Sequence, residues 1–134
     1  MTQKISKNFA RYEFKCRCGK CHFEAVDIEL IKVLEKLRAY FRNKGGKDRR
    51  VRILSGWRCE YWNKRVGGAK HSRHMRGIAA DFQVYDAKTG EKVSPQEIYD
   101  YLDHMYPDKY GLGVYDVFNH LDIRRNKARW DNRG

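Results

Sequence analysis

Three side chains of the kind that bind metal ions stand out in this sequence: His74, Asp81 and His120. Asp81 lies in an apolar stretch, residues 78–84, where a charged carboxylate needs a partner because an unpaired buried charge is costly. A metal ion bound by both His74 and Asp81 would be such a partner. A catalytic zinc requires a third protein ligand and keeps its fourth position for water. His120 is the candidate for that third ligand.

Alternation of residue types places His120 on one face of a predicted strand. In the segment 118–123, Leu121 and Ile123 would face the core, whereas His120 and Asp122 would project from the opposite face. Two strands that each offer ligands on the same side of a sheet could therefore assemble a His-Asp-His site. The residues alone leave an ordinary hydrogen-bonded His–Asp pair open as the alternative.

Four cysteines form a second group that could do chemistry: Cys16, Cys18, Cys21 and Cys59. An even number permits disulfides, but Cys18-Gly19-Lys20-Cys21 has the spacing of a zinc knuckle. No apolar signal-peptide core follows the polar N-terminus, which favours a structural zinc or free thiols over disulfides. Cys59 could complete a four-thiolate site only if the fold brings it to the other three. His22, beside the cluster, is a further candidate ligand.

The composition limits the class of protein. The 134 residues suffice for one domain with a packed core, since 41% are hydrophobic and 13% aromatic. This excludes global disorder, and no apolar run approaches the roughly 20 residues of a membrane-spanning helix. Lysines and arginines number 29 against 17 acidic residues, which gives a formal charge of +12. A basic surface can meet nucleic acid, an anionic membrane or an anionic cell wall.

Two helices can be placed from capping signals and periodicity. Apolar residues at three- and four-residue steps predict a helix from an N-cap at Asp27 to about Asn43. Ser94 followed by Pro95 predicts the start of a second helix that ends near Met105. These helices supply the apolar faces on which a sheet can pack.

The strands that carry the candidate ligands are shorter. They are predicted over three ranges: 51–55, 78–84 and 111–124. Residues 1–25 form an irregular segment that contains three of the cysteines, and residues 125–134 form a basic tail. Because there is no internal repeat and no linker, the sequence predicts one α+β domain over residues 1–134.

Three motifs in this sequence resemble those of one peptidase family. The segment Ser72-x-His74-x-x-Gly77-x-Ala79-x-Asp81 resembles the metal motif of the M15 peptidases, the zinc D-Ala-D-Ala carboxypeptidase and endopeptidase group. The segment Gly111-x-Gly113-x-Tyr115-x-x-Phe118-x-His120-x-Asp122-x-Arg124 resembles the C-terminal motif that supplies the last zinc ligand. Ser55-Gly56-Trp57-Arg58-Cys59 resembles a third family segment. Asn63 and Val66-Gly67-Gly68-Ala69 fit the pattern of the short subgroup, and Phe14-x-Cys16-x-Cys18-Gly19 is also similar to the family.

The resemblance implies both a fold and a reaction. The fold is a small single α+β domain with a central antiparallel sheet flanked by helices, shared with the hedgehog signalling domain. The cofactor is one catalytic zinc bound by His74, Asp81 and His120; a second, structural zinc would require the cysteine site. The implied reaction is hydrolysis of the peptide stems or cross-links of bacterial peptidoglycan, by a D,D-carboxypeptidase or an endopeptidase.

The family pattern also suggests further roles. Arg58 would bind the substrate's carboxylate through two parallel hydrogen bonds, and Ser72 would contact the substrate or cap its own turn. The general base is left open, because relatives carry Glu or Asp three residues before the last ligand, or His two residues before it. This chain has a valine and a phenylalanine there. Asp122 ranks ahead of Asp116 as the candidate.

We expect a monomer that acts on peptidoglycan at the cell wall, without membrane insertion and without nucleic acid as a partner. Lacking a recognisable signal peptide, it would suit a phage lysis enzyme (an endolysin) or a virion protein. Two other interpretations stay open. A nucleic-acid-binding module with a cysteine zinc knuckle would account for the charge of +12 but not for the His-Asp-His set. A non-catalytic zinc protein could bind the wall without hydrolysing it.

Overall fold

A computed structural model describes residues 3–21 and 26–134, and in these ranges it contains three α-helices and one five-stranded sheet. The helices are α1 (Ile28–Gly45), α2 (Glu60–Arg65) and α3 (Pro95–Met105); the strands are β1 (Arg49–Ser55), β2 (Ala79–Asp86), β3 (Gly111–Val114), β4 (Asn119–Asp122) and β5 (Ala128–Asp131). Short 3-10 helices occupy Arg11–Phe14 and Arg73–Arg76. The expected α+β class is confirmed. None of the helices in the described ranges is both long and apolar enough to cross a bilayer.

The two long helices begin where the sequence predicts. The side chain of Asp27 accepts a hydrogen bond from the backbone N–H of Glu29 at 2.7 Å and so caps α1. Gly46, in the left-handed conformation with φ of 61°, terminates α1 slightly beyond the predicted end. Ser94 caps α3 in the same way, and Pro95 occupies its first turn. Local signals therefore fix both helix starts.

The hydrophobic core lies on one face of the sheet, beneath α1 and α3. Phe82 of β2 and Leu121 of β4 are fully buried and belong to one cluster with Leu34 of α1 and Leu102 of α3. Because successive residues of a strand point to opposite faces, the residues between these core positions project from the other face of the sheet. That second face carries the candidate metal ligands.

The strand order is β1-β2-β4-β3-β5, and the neighbouring strands are antiparallel except for β3 and β5. The parallel edge strand β5 is formed by residues predicted as a basic tail. Arg129 anchors it, since its Nε donates to Asp103 at 2.7 Å and its Nη2 donates to the carbonyl of Tyr106 at 2.7 Å. Because these contacts join residues far apart in the chain, they produce no periodic pattern in the sequence from which β5 could be predicted.

The chain leaving β1 lies directly against the N-terminal segment. The pairing of β1 with β2 shifts between Ile53 and Ser55, so that Ser55 pairs with Asp81. At the next residue, a Cβ on Gly56 would lie 2.7 Å from the Cα of Phe14. Only glycine permits this backbone approach, which carries the chain toward the candidate site.

Replacing Gly56 with alanine is expected to lower the free energy of unfolding by about 1–3 kcal/mol, because two backbone segments must separate. Gly45→Ala is the matched control. A Cβ there makes ordinary contact with the Arg49 side chain at 3.6 Å, and it should be neutral or stabilising by up to about 1 kcal/mol. Denaturant unfolding followed by circular dichroism measures both variants. Equal stability of the two would contradict the packing described.

Candidate metal centre

Asp81 and His120 lie opposite each other on neighbouring strands. Asp81 of β2 pairs with His120 of β4 in the antiparallel register, and directly paired residues project from the same face of a sheet. The Nδ1 atom of His120 lies 2.9 Å from Oδ1 of Asp81. Leu121, between His120 and Asp122, is buried in the core on the opposite face, as the alternation predicts. Strand pairing alone thus brings together two of the three predicted ligands.

His74 joins them from the 3-10 helix that precedes β2. The side chain of Ser72 caps this helix by accepting a hydrogen bond from the backbone N–H of His74 at 3.2 Å. The Nδ1 atom of His74 lies 2.8 Å from the carbonyl oxygen of Gly56. Because a carbonyl can only accept, Nδ1 carries the proton and Nε2 of a neutral ring presents a lone pair. Nε2 is buried, makes no hydrogen bond to any described residue and lies 3.3 Å from Oδ1 of Asp81.

The donor set and its spacing suit a zinc ion. One ligand atom from each of His74, Asp81 and His120 lies within 4.8 Å of the others, and the separations from Asp81 are 2.9 and 3.3 Å. Ligand atoms of a tetrahedral zinc, bound at about 2.0–2.2 Å, stand about 3.3–3.6 Å apart. Two imidazole nitrogens and one carboxylate oxygen could therefore bind the ion with little rearrangement and leave a fourth position open. The orphaned Nε2 of His74 is the observation that fits the metal best.

Asp122 holds the other side of the His120 ring. Its Oδ2 lies 2.8 Å from Nε2 of His120, and its two oxygens also accept hydrogen bonds from Nε and Nη2 of Arg124 at 2.7 and 2.8 Å. The residue is fully buried, and a Cβ on Gly111 would overlap its carboxylate at 2.3 Å. A carboxylate behind a ligating histidine fixes the ring and its tautomer. Nδ1 of His120 is thereby left for the metal.

Hydrogen bonds set the charge of the cluster. Burial acts to raise the pKa of Asp81, but the neighbouring imidazoles of His120 and His74 outweigh it and hold this pKa well below its usual range. Burial also acts to raise the pKa of Asp122, and its contacts with His120 and Arg124 reverse that shift. For His120, burial opposes protonation, yet its two carboxylate neighbours raise its pKa above the ordinary value. The carboxylates thus favour a positive charge between them, which a metal ion would also supply.

Arg58 contacts the cluster from the loop after β1. Its Nη2 lies 3.3 Å from Oδ2 of Asp81, its Nε lies 3.2 Å from Oγ of Ser55, and its Nη1 lies 3.4 Å from Oδ1 of Asn63. A guanidinium has five N–H donors, so two, one on each terminal nitrogen, are left over from these three contacts. Arg58 therefore supports Asp81 and keeps donors for a ligand.

A cavity of about 470 Å³ opens over these side chains. Arg58 and Ser72, both predicted to meet a substrate, line it, and so do Tyr115 and Trp130. Nε1 of Trp130 donates to the hydroxyl of Tyr115 at 2.9 Å, and the Trp130 ring centroid lies 5.0 Å from that of His120. The two aromatic side chains form one wall of the cavity.

A glycine makes room for that wall. Gly113 of β3 pairs with His120 on one side and with Trp130 on the other, and a Cβ on Gly113 would lie 2.4 Å from Nε1 of Trp130. The sequence contains this glycine, but its meaning depends on the parallel pairing of β5. The close approach of Trp130 to His120 therefore depends on a pairing that the local sequence pattern does not show.

Asp116, the second candidate base, is placed differently. It is exposed in the turn before β4, and it lines a separate cavity with Gln83 and Val93 and not the cavity over the metal ligands. Of the two carboxylates considered as a base, only Asp122 faces the candidate site.

The four cysteines also come together in the fold. Sγ atoms of Cys16, Cys18, Cys21 and Cys59 all lie within 4.8 Å of one another, and all four thiols are free. The distant Cys59 therefore reaches the N-terminal cluster. His22 lies outside the described residues.

Comparison with known proteins gives one result. A family model described as Peptidase M15 matches residues 7–122, a range that includes all three candidate metal ligands and Arg58. No curated protein and no solved structure matches the chain.

Asp122→Asn is expected to weaken zinc binding by about 10–100-fold, because the amide no longer holds the His120 ring as a carboxylate does. Asp116→Asn is the matched control and should bind zinc as the wild type does, since Asp116 does not line the site. Competition with a chromophoric chelator measures both affinities. An unchanged affinity in Asp122→Asn would show that this carboxylate does not support the metal.

Proposed function

The chain belongs to the M15 peptidase family, a family of zinc-dependent metallopeptidases, and we propose from this premise that it hydrolyses the peptide stems or cross-links of bacterial peptidoglycan. The observation that carries the proposal is the convergence of His74, Asp81 and His120 beneath an open cavity. The family match supports a peptidase, and the donor set supports zinc as its cofactor. The resemblance of the motifs to those of the family supports peptidoglycan as the proposed substrate.

In this proposal the ligands are Nε2 of His74, the carboxylate of Asp81 and Nδ1 of His120. A bound zinc would polarise the scissile carbonyl and lower the pKa of a coordinated water. The protein keeps each ligand atom oriented by a contact behind it: the Gly56 carbonyl behind His74 and the Asp122 carboxylate behind His120. This preorganisation means that little rotamer freedom is lost when the ion binds.

Arg58 is proposed to bind a carboxylate of the substrate. It lines the cavity beside Asp81, and its two remaining N–H donors can form the paired hydrogen bonds that a carboxylate accepts. A substrate that ends in a carboxylate would then lie with its last peptide bond near the metal ligands. This geometry suits cleavage of a peptide bond that is followed directly by a residue with a free carboxylate.

Proton transfer is proposed to involve Asp122 rather than Asp116, because only Asp122 lines the cavity. Both oxygens of Asp122 are engaged by His120 and Arg124. To accept a proton from water, one of these hydrogen bonds must open. Asp122 therefore positions His120 in the resting site, and acid–base chemistry would add a second role.

The positive charge of the chain suits a partner at the cell wall. The formal charge of +12 would draw the protein to anionic wall polymers and raise its local concentration on the substrate. We propose that the wall is where the protein acts, as a phage-type lysis enzyme or virion protein would.

Purified cell walls are expected to lose turbidity with the wild-type protein and to stay intact with His74→Ala or after chelation of zinc, because the cavity then lacks its metal. His104→Ala is the matched control and should lyse walls normally, since His104 is exposed on α3, away from the cavity. Mass analysis of the released muropeptides identifies the bond. Lysis that persists without zinc would refute the mechanism, and zinc content without hydrolysis would favour the non-catalytic wall-binding alternative.

Arg58→Lys is expected to reduce kcat/KM by about 10–100-fold for a stem peptide with a free terminal carboxylate, since a single ammonium replaces a paired, charge-assisted contact. The same peptide with an amidated terminus serves as the control substrate. Wild-type protein should discriminate strongly between the two peptides, and the variant should discriminate weakly. Equal rates on both peptides with the wild type would argue against carboxylate recognition.

A further inference from the structure

The four-cysteine cluster lies outside the candidate metal centre and has no part in the proposed reaction. Three cysteines come from the N-terminal segment, and Cys59 comes from the loop that leads into α2. Their Sγ atoms lie within 4.8 Å of one another. Sulfur atoms around a tetrahedral zinc, bound at about 2.3 Å, stand about 3.8 Å apart. The spacing of the cluster therefore matches a closed four-thiolate site.

Cys18 and Cys21 form a turn of the knuckle type. The backbone N–H groups of Lys20 and Cys21 both donate to Sγ of Cys18, at 3.3 and 3.2 Å. Gly19, with φ of 76°, permits the turn. The two sulfur atoms lie 3.4 Å apart. Two N–H donors on one sulfur stabilise the thiolate form, which is the form that ligates a metal.

The other pair is arranged by the same kind of contact. The backbone N–H of Cys59 donates to Sγ of Cys16 at 3.4 Å, and the N–H of Trp62 donates to Sγ of Cys59 at 3.4 Å. Cys59 is the N-cap residue of α2. Backbone N–H groups of the described residues thus donate to three of the four sulfur atoms and orient them toward a shared centre.

From this geometry we propose that Cys16, Cys18, Cys21 and Cys59 bind a second zinc ion, with a structural role. Four thiolates close the coordination sphere, so no position is left for water or substrate.

The position of the cluster explains what the ion would stabilise. Phe14 and Cys16 lie on the N-terminal segment, whereas Cys59 follows Arg58 directly. The carbonyl of Phe14 accepts a hydrogen bond from the N–H of Trp57 at 2.9 Å. The ion would clamp this segment to the 56–59 loop, which supplies the carbonyl behind His74 and the guanidinium beside Asp81. A structural zinc would thus stabilise the loop whose residues orient His74 and Asp81, two of the proposed ligands of the catalytic zinc.

Zinc counting in a protein without the catalytic ligands tests the proposal. The His74→Ala/His120→Ala double variant, purified without chelator, is expected to retain about one zinc ion per chain, against about two in the wild type. Adding Cys18→Ser and Cys21→Ser should remove that ion. Lys20→Ala in the same background is the matched control and should keep it, because only the backbone of Lys20 contacts the cluster's sulfur.

Cobalt substitution identifies the ligands. Co²⁺ in the double variant should show intense thiolate-to-metal charge transfer in the near ultraviolet, which imidazole and carboxylate ligands do not give. The same absorption can be sought in the wild-type protein, so the test does not depend on folding of a variant. Absence of this band together with zinc-free protein, or four cysteines recovered as two disulfides, would overturn the proposal. Since the double variant lacks the catalytic ligands, its metal content reports on the cysteines whether or not the wild type hydrolyses peptidoglycan.

Discussion

The register between β2 and β4 is the constraint on which the rest of the structure depends. It places Asp81 opposite His120, so that a carboxylate and an imidazole meet on one face while Phe82 and Leu121 fill the core on the other. Because side chains alternate along a strand, a slip of one residue would exchange these faces. It would bury the charged pair in the core and expose the apolar residues. The hydrophobic core and the metal centre are therefore specified by the same pairing.

Two glycines of β3 leave space for a site on the face of the sheet that carries the candidate metal ligands. On this face, Asp81, His120 and Gly113 pair side by side across β2, β4 and β3. Ala79, Asp122 and Gly111 pair in the same way one row further along. Because Gly113 has no side chain, Trp130 can lie beside His120. Because Gly111 has none, the carboxylate of Asp122 can lie directly against the backbone of β3. The buried carboxylates of Asp81 and Asp122 are then matched by histidine and arginine side chains, as burial of charge requires. A metal ion would add a further positive charge close to these two carboxylates, which favour positive charge beside them.

Local signals in the sequence predict much of this structure. Asp27 and Ser94 predict the starts of their helices, because capping is a contact between residues a few positions apart in the sequence. Alternation around His120 predicts which face it shares with Asp122, and the His-Asp-His set could be proposed from residue types alone. The edge strand β5 could not, because Arg129 holds it through residues more than 15 positions away. The contact of Arg58 with Asp81 could not be predicted either, because it spans 23 residues and leaves no mark in the local pattern.

X-ray diffraction from crystals of the zinc-loaded protein, recorded on both sides of the zinc absorption edge, tests the central claim most directly. The account predicts an anomalous peak bonded at about 2.0–2.2 Å to Nε2 of His74, a carboxylate oxygen of Asp81 and Nδ1 of His120. No peak among these three side chains, or an ion bound through the opposite nitrogen of His120 with Asp122 displaced, would contradict it.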